Sequence, residues 1–375
     1  MVFDILHDLT GFPVFQSRFF AAAAAVIFAF VGGLFLFPLY IRLLKKLHFS
    51  SELAGAKRQP VMPAGIFFVL LLIPVVLLTS RFNVYVFSAL AVYLCYSLIG
   101  AVDDVAKIIN KRRLMRNEIT LKDYQYKTDG ISASLRLSLY LVIAAVTAVV
   151  CYILIPEINR VVTIPFWGAY DGVELPVMVF IPLMTLVIAI LANGVNFTDG
   201  FDTLATVPLL TNFVFVAIIG YISSRPDWSN YFIIPQIQGI NEIIPLVGGV
   251  IGVLLAFLWF NSFPSDIIMG DSGSIGLGGL LGILFVFTKS EFYMPLVALV
   301  FLIEFGSSFL QIFYFKLTGK RIFLMAPIHH HFQIKLENKG VFNRKGDVIS
   351  KITWRFHILS VFMLVVGLVL FMKVR

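Results

Sequence analysis

The stretch FNSFPSDIIMGDSGSIGLGGLLGILFVF, residues 260–287, places Asp266 and Asp271 at the mouth of an apolar run with no further charge before Lys289. A bilayer core about 30 Å thick needs roughly 20 helical residues to cross it. Acidic groups held in lipid cost several kcal/mol, so acids at the edge of such a run carry information about position. The reading is a short span entered through a polar, glycine-rich mouth.

The rest of the chain agrees. Of its 375 residues, 59% are apolar and 13% charged, and the mean hydropathy is +0.93. A soluble domain usually carries about 25% charged residues. The bilayer must therefore be the solvent, and the 38 Phe suit lipid-facing helices. Ten spans are expected, over about 18–43, 64–81, 84–102, 135–155, 176–193, 204–222, 244–261, 273–288, 292–316 and 352–372. The second and eighth are short, and the ninth is long enough to tilt. The expected fold is an all-α, polytopic integral membrane protein forming one membrane domain over 1–375.

The run from Ser17 to Leu44 reads as the first span, not as a cleavable signal. Cys95 and Cys151 lie in apolar runs and read as small buried hydrophobes, without a disulfide or zinc role. Loops 156–175 and 223–243, rich in Pro, aromatic and polar residues, read as ordered caps or short interfacial segments. Residues 107–130 read as a charged loop, part helical.

The formal charge of +8 is read through topology, not as a nucleic-acid footprint. Alternating the loops leaves only Arg18, Arg81, Arg160, Arg225, Lys289, Lys373 and Arg375 on one side. All other Lys and Arg fall on the opposite side, which the positive-inside rule assigns to the cytoplasm. Both termini are then extracytoplasmic. The cytoplasmic loops are about 44–63, 103–134, 194–203, 262–272 and 317–351.

Four polar clusters share that side. They are Asp103 and Asp104 in GAVDDVAK; Asn193, Asn196, Asp199 and Asp202 in NGVNFTDGFDTLA; Asp266 and Asp271; and His329, His330 and His331 in MAPIHHHF. Any one acid at a helix end is usually a solvated cap, but four clusters on one edge describe a site. Neighbouring Asp103 and Asp104 point about 100° apart on a helix and divide their roles. Asn196, Asp199 and Asp202 would share a face if helical. Gly200 and Gly273 admit close backbone approach. Acid and amide oxygens suit magnesium bridging phosphates. Lys57, Arg58, Lys107 and Arg136 supply countercharge for a diphosphate.

These motifs resemble those of the polyprenyl-phosphate N-acetylhexosamine-1-phosphate transferase superfamily. GAVDDVAK is similar to its paired-Asp motif, NGVNFTDGFDTLA to its TDG-D-LA loop, and FNSFPSDIIMGDSGSIGLGG to its FN-x-x-P…MGD-x-GS segment. GKRIFLMAPIHHHF resembles the triple-His loop of the muramoyl-pentapeptide branch, and the match runs from first span to last. The resemblance implies a bacterial inner-membrane enzyme with its active site facing the cytoplasm. It implies attack of undecaprenyl phosphate on the β-phosphate of UDP-MurNAc-pentapeptide, giving lipid I and UMP with Mg2+. It further implies Asp271 and Asn196 as metal ligands, Asp103 as base and Asp104 as its supporting partner. Lys57, Gly200, Phe201 and Asp202 would lie near uridine. Asp199 and His329–His331 would line the sugar-phosphate end, with Asn193 and Arg136 among the substrate contacts. The resemblance leaves room for a homodimer.

Two features depart from the family pattern. AKRQPVMPAG, residues 56–65, lacks both Thr of the usual Gly-Thr-Pro-Thr-Met-Gly-Gly run, and the loop around MRNEITLKDYQYKTD is longer than usual. The rival readings are a sister GlcNAc-1-phosphate transferase and a transporter. A transporter would place its acids near the midplane with repeat symmetry, whereas here they gather at one edge.

Overall fold

The computed structural model describes residues 2–49, 60–119, 133–155, 161–164, 173–340 and 345–372. Among these, the helices in chain order are α1 (Val2–Thr10), α2 (Arg18–Lys46), α3 (Gly65–Thr79), α4 (Val84–Met115), α5 (Ala133–Leu154), α6 (Val177–Thr198) and α7 (Thr206–Ser223). They continue with α8 (Pro226–Phe232), α9 (Ile243–Asn261), α10 (Asp271–Phe287), α11 (Met294–Val297), α12 (Leu299–Thr318), α13 (Ile328–Glu337) and α14 (Lys345–Phe371). A two-stranded antiparallel hairpin, β1 (Val161–Val162) and β2 (Val173–Glu174), lies between α5 and α6. Eight helices are long and apolar enough to cross a membrane, and α3 and α10 are the two shorter apolar ones. The ten expected spans each correspond to one of these, and the all-α membrane fold is the observed one.

Four boundaries differ from expectation. Helix α4 runs unbroken to Met115, so Asp103 and Asp104 lie within a helix, not at its end. A helix leaving hydrocarbon for water can carry Lys and Arg on its last turns, and the part-helical character expected of 107–130 is this continuation of α4 to Met115. The ninth span is interrupted at Ala298, between α11 and α12. The triple His lies in the first turn of α13, so the 317–351 segment is partly helical. The 262–272 loop ends at Asp271, where α10 begins.

Helix α10 is the axis of the bundle: every residue from Ser272 to Phe287 is buried. It packs on α4 along one flank and α6 along the other. Its glycines make that approach possible, because lipid supplies no hydrophobic drive between helices and close backbone packing must substitute. A Cβ at Gly278 would stand 2.6 Å from the Leu191 carbonyl oxygen, and one at Gly282 2.7 Å from Ile188 Cα. Helices α2 and α9 meet in the same way, since a Cβ at Gly248 would stand 2.6 Å from the Ala22 carbonyl oxygen. Outward faces stay apolar, as with Phe35 on α2 and Phe309, Phe313 and Leu317 on α12.

At the end of the bundle opposite the acid clusters, Arg18 pairs with Glu242 at 3.1 Å and Arg81 pairs with Asp4, tying α1 to the spans. The Arg81 guanidinium holds the Asp4 carboxyl down at about 2. Cys151 is buried as expected; Cys95 is instead exposed, facing outward from α4, and both are free.

Gly278→Val forces α10 from α6 and should lower thermal stability of the purified protein by about 1–3 kcal/mol. At Gly306 a Cβ meets nothing within 4 Å. Gly306→Ala should therefore leave stability unchanged or raise it by about 0.5–1 kcal/mol. Thermal unfolding in detergent or nanodiscs measures both; equal stability of the two variants would contradict the packing account.

Candidate active site

The site is built on the N-terminus of α10. Helix starts leave backbone N–H groups without intrahelical partners and carry partial positive charge. Here both carboxylate oxygens of Asp104 satisfy them: Oδ1 accepts from the Asp271 amide and Oδ2 from the Ser272 amide, each at 2.9 Å. Gly270 turns the chain into the helix at φ +75°, where a Cβ would meet Pro63 at 2.7 Å and Asp104 Oδ2 at 2.9 Å. Gly100 on α4 and Gly65 on α3 likewise leave room only for the 271–273 backbone. The segment before α3 is clamped to the same mouth. The Val61 amide donates to Asp266 O (3.1 Å), Ile268 to Val61 O (2.9 Å) and Ala64 to Ile268 O (2.9 Å).

Asp271 is thereby aimed at a knot of charges. Lys107, one turn beyond Asp103 on α4, lies 2.7 Å from Asp103 Oδ2 and 2.9 Å from Asp271 Oδ2. Arg136 of α5 reaches the same two oxygens at 3.3 and 3.1 Å. From α6, Asn196 Nδ2 donates to Asp271 Oδ1 and to Ser274 Oγ, both at 3.0 Å. Asp199, which caps the end of α6, lies near the Gly270 backbone. Burial, then the charges of Asp271 and Asp104, push its carboxyl well above the usual range. Asp103 and Asp104 are fully buried, and such charges persist only when paired.

Beside this knot lies the His cluster. The Phe201 ring meets His329 at 4.6 Å and His330 at 5.2 Å, both edge-on. His329 is buried, its Nδ1 2.8 Å from Glu304 Oε2. His330 Nδ1 pairs with Gln333 Oε1 at 3.1 Å. His331 turns away, its Nδ1 accepting from the Leu324 amide at 3.2 Å. A cleft of about 680 Å³ opens alongside, lined by Phe197, Ile312, Phe315 and Met325 with Lys316 and Arg321.

The structure thus brings together Asp103, Asp104, Arg136, Asn196, Asp199 and Asp271, with Gly200, Phe201, His329 and His330 adjoining. The expected common face of Asn196, Asp199 and Asp202 does not form, because α6 ends at Thr198. Asp202 instead binds the Ser265 hydroxyl (2.8 Å) and amide (3.2 Å), and burial raises its carboxyl against those bonds. Asn193 Nδ2 donates within its own helix, to Ala189 O at 2.8 Å. Lys57 lies outside the described residues. Lys107, read only as countercharge, is central. Ser274 and Glu304 were not anticipated, although Glu304 is the only acid in its apolar run and could have been found by that.

Asp103 and Asp271, bridged by Lys107 and Arg136, carry carboxylate oxygens, and the Asn196 amide lies beside Asp271; such oxygens are the donors a hard divalent ion takes. Lys107 Nζ, held between Asp103 and Asp271, marks a point where positive charge is stabilised. Among the described residues no three His, Cys, Asp or Glu converge to hold an ion unaided.

Residues 86–289, which hold the charged knot but not the His cluster, match the model of glycosyl transferase family 4. The chain is 33% identical to the phospho-N-acetylmuramoyl-pentapeptide-transferase of Wolinella succinogenes, over 99% of each chain. It is 32% identical to that of Geobacter sp. (strain M21), over 98% of each. With the Bartonella quintana protein of the same name it shares 37% identity over 76% of this chain and 72% of the relative. The geometry of the α10 mouth and near-full-length likeness point the same way: the chain belongs to glycosyl transferase family 4, among relatives named phospho-N-acetylmuramoyl-pentapeptide-transferase.

Proposed function

We propose that the protein transfers phospho-N-acetylmuramoyl-pentapeptide from UDP-MurNAc-pentapeptide to undecaprenyl phosphate, producing lipid I and UMP for peptidoglycan synthesis. The observation that carries this reading is the knot in which Lys107 and Arg136 bridge Asp103 and Asp271 at the capped mouth of α10. Two cations beside an oxygen donor set suit a diphosphate and a lipid phosphate brought together. Phosphoryl transfer of this kind is largely positioning and charge neutralisation.

An oxygen of the lipid phosphate bonds to the β-phosphorus as the bond to the bridging oxygen breaks, and UMP departs with that electron pair. Lys107 and Arg136 hold phosphate oxygens during this exchange. Asp103 orients both cations and is the carboxylate available to take a proton from the lipid phosphate. Asp104 acts through the α10 backbone, fixing where Asp271 points. Asp271 and Asn196 would hold Mg2+, which when bound supplies charge neutralisation on the diphosphate. Gly200, Phe201 and Asp202 would adjoin the nucleotide, and the cleft at Phe197 and Phe315 suits an isoprenoid chain. The Lys and Arg distribution supports a cytoplasm-facing site in a bacterial inner membrane, with both termini outside.

Purified protein should release UMP only with a divalent ion, and chelation should abolish release reversibly. Asp103→Asn, Asp271→Asn and His330→Ala should each lower turnover about tenfold or more while inserting normally; wild-type rates in all three would remove these residues from the chemistry. Label from UDP-MurNAc-pentapeptide should enter the lipid phase. Entry from UDP-GlcNAc alone would instead favour the sister transferase.

A further inference from the structure

Glu304 lies in α12 with no exposed surface, an acid in the run LVFLIEFGSSF. Its Oε2 is 2.8 Å from His329 Nδ1 and 3.5 Å from the His329 amide. Ser307, one turn on, accepts from the Ile328 amide at 3.0 Å. Pro327 precedes α13 and offers no side-chain cap, so α12 supplies the partners for the first turn of α13. An ionised carboxylate only accepts, so the ring nitrogen facing it carries the proton. Glu304 thus occupies the Nδ1 side of the His329 ring and leaves the Nε2 side for other partners.

That Nε2 is buried and has no hydrogen-bond partner among the described residues. It lies directly against Gly200, where an added Cβ would collide with it. The ring is further held by Phe201, edge-on at 4.6 Å, and by His330 at 4.2 Å. A buried carboxylate with one oxygen, Oε1, also unpartnered is costly for stability alone. An amide would cap the same backbone without that charge.

We infer that Glu304 is a positioning residue, acting through His329 on the Gly200–Phe201 segment and so on binding of the nucleotide-sugar. This rests on the functional reading above, in which that segment adjoins the nucleotide. Glu304 sets the ring, the ring supports a segment with no side chain at Gly200, and the segment presents its backbone to the substrate. The lipid acceptor, on that reading in the cleft at Phe197 and Phe315, would meet a lining that includes neither Glu304 nor His329.

The test is steady-state kinetics of the full-length protein with each substrate varied in turn. Glu304→Gln should raise KM for the UDP-linked substrate about tenfold, with KM for polyprenyl phosphate and thermal stability unchanged. Gly200→Ala, which displaces the same ring, should raise the same KM. The double variant should be no worse than the single ones, because both act through one element. Glu304→Asp should recover part of the loss. Wild-type KM for both substrates in Glu304→Gln would overturn the inference, as would equal shifts in both KM values accompanied by lost stability. If Glu304→Ala fails to fold, the Gln and Asp variants still decide. Were the wild-type protein to consume another UDP-sugar, the same comparison would run on that substrate, so the two failures are distinguishable.

Discussion

The site depends on one carboxylate meeting one helix end. Asp104 places its two oxygens on the Asp271 and Ser272 amides, answering both the unpaired donors and the partial positive charge of the α10 start. In a low-dielectric setting such a charge-assisted pair is strong, and removing either partner leaves a buried group unsatisfied. Because α10 is buried along its whole length, an error at its mouth cannot relax into solvent. The orientation of Asp271 follows, and with it the positions taken by Lys107, Arg136 and Asn196.

The knot around Asp271 is close to balanced but not inert. Asp103 and Asp271 share two cations, while burial and its acidic neighbours raise the Asp199 carboxyl well above the ordinary range. On the proposed function, a diphosphate would offer Lys107 and Arg136 alternative anionic partners. Exchange of partners costs less than separation of charges would, since no ion is left bare in the protein interior. The same arrangement that stabilises the resting protein therefore prepares it for an anionic ligand.

Much of this was legible in the sequence, for reasons that differ by residue. Hydropathy locates the spans because hydrocarbon thickness sets helix length, and acids at span edges stand out against that background. Asp103, Asp104, Asn196, Asp199 and Asp271 were found this way. The division of labour within the Asp pair was not: a cap is defined by the amides it meets, and those belong to a helix 167 positions away. Charges past Asp104 read as a part-helical loop, and composition alone did not show that the third span's helix runs on unbroken to Met115. Glu304 escaped notice because the run around it is apolar enough to pass as a span. The common face expected of Asn196, Asp199 and Asp202 failed because Asp199 ends its helix and Gly200 follows it.

The burial of α10 bears on biogenesis. Helices emerge from synthesis in order, and domains assemble N-terminal parts first. A nascent chain that has completed α4 exposes Asp104 with no backbone amides to receive it, and its glycine-lined partners α2 and α9 can join before α10 exists. The pocket thus closes only when the tenth helix slots between the fourth and sixth. Prematurely released chains would carry several of the reactive side chains yet be catalytically silent, so competence is conferred late in translation.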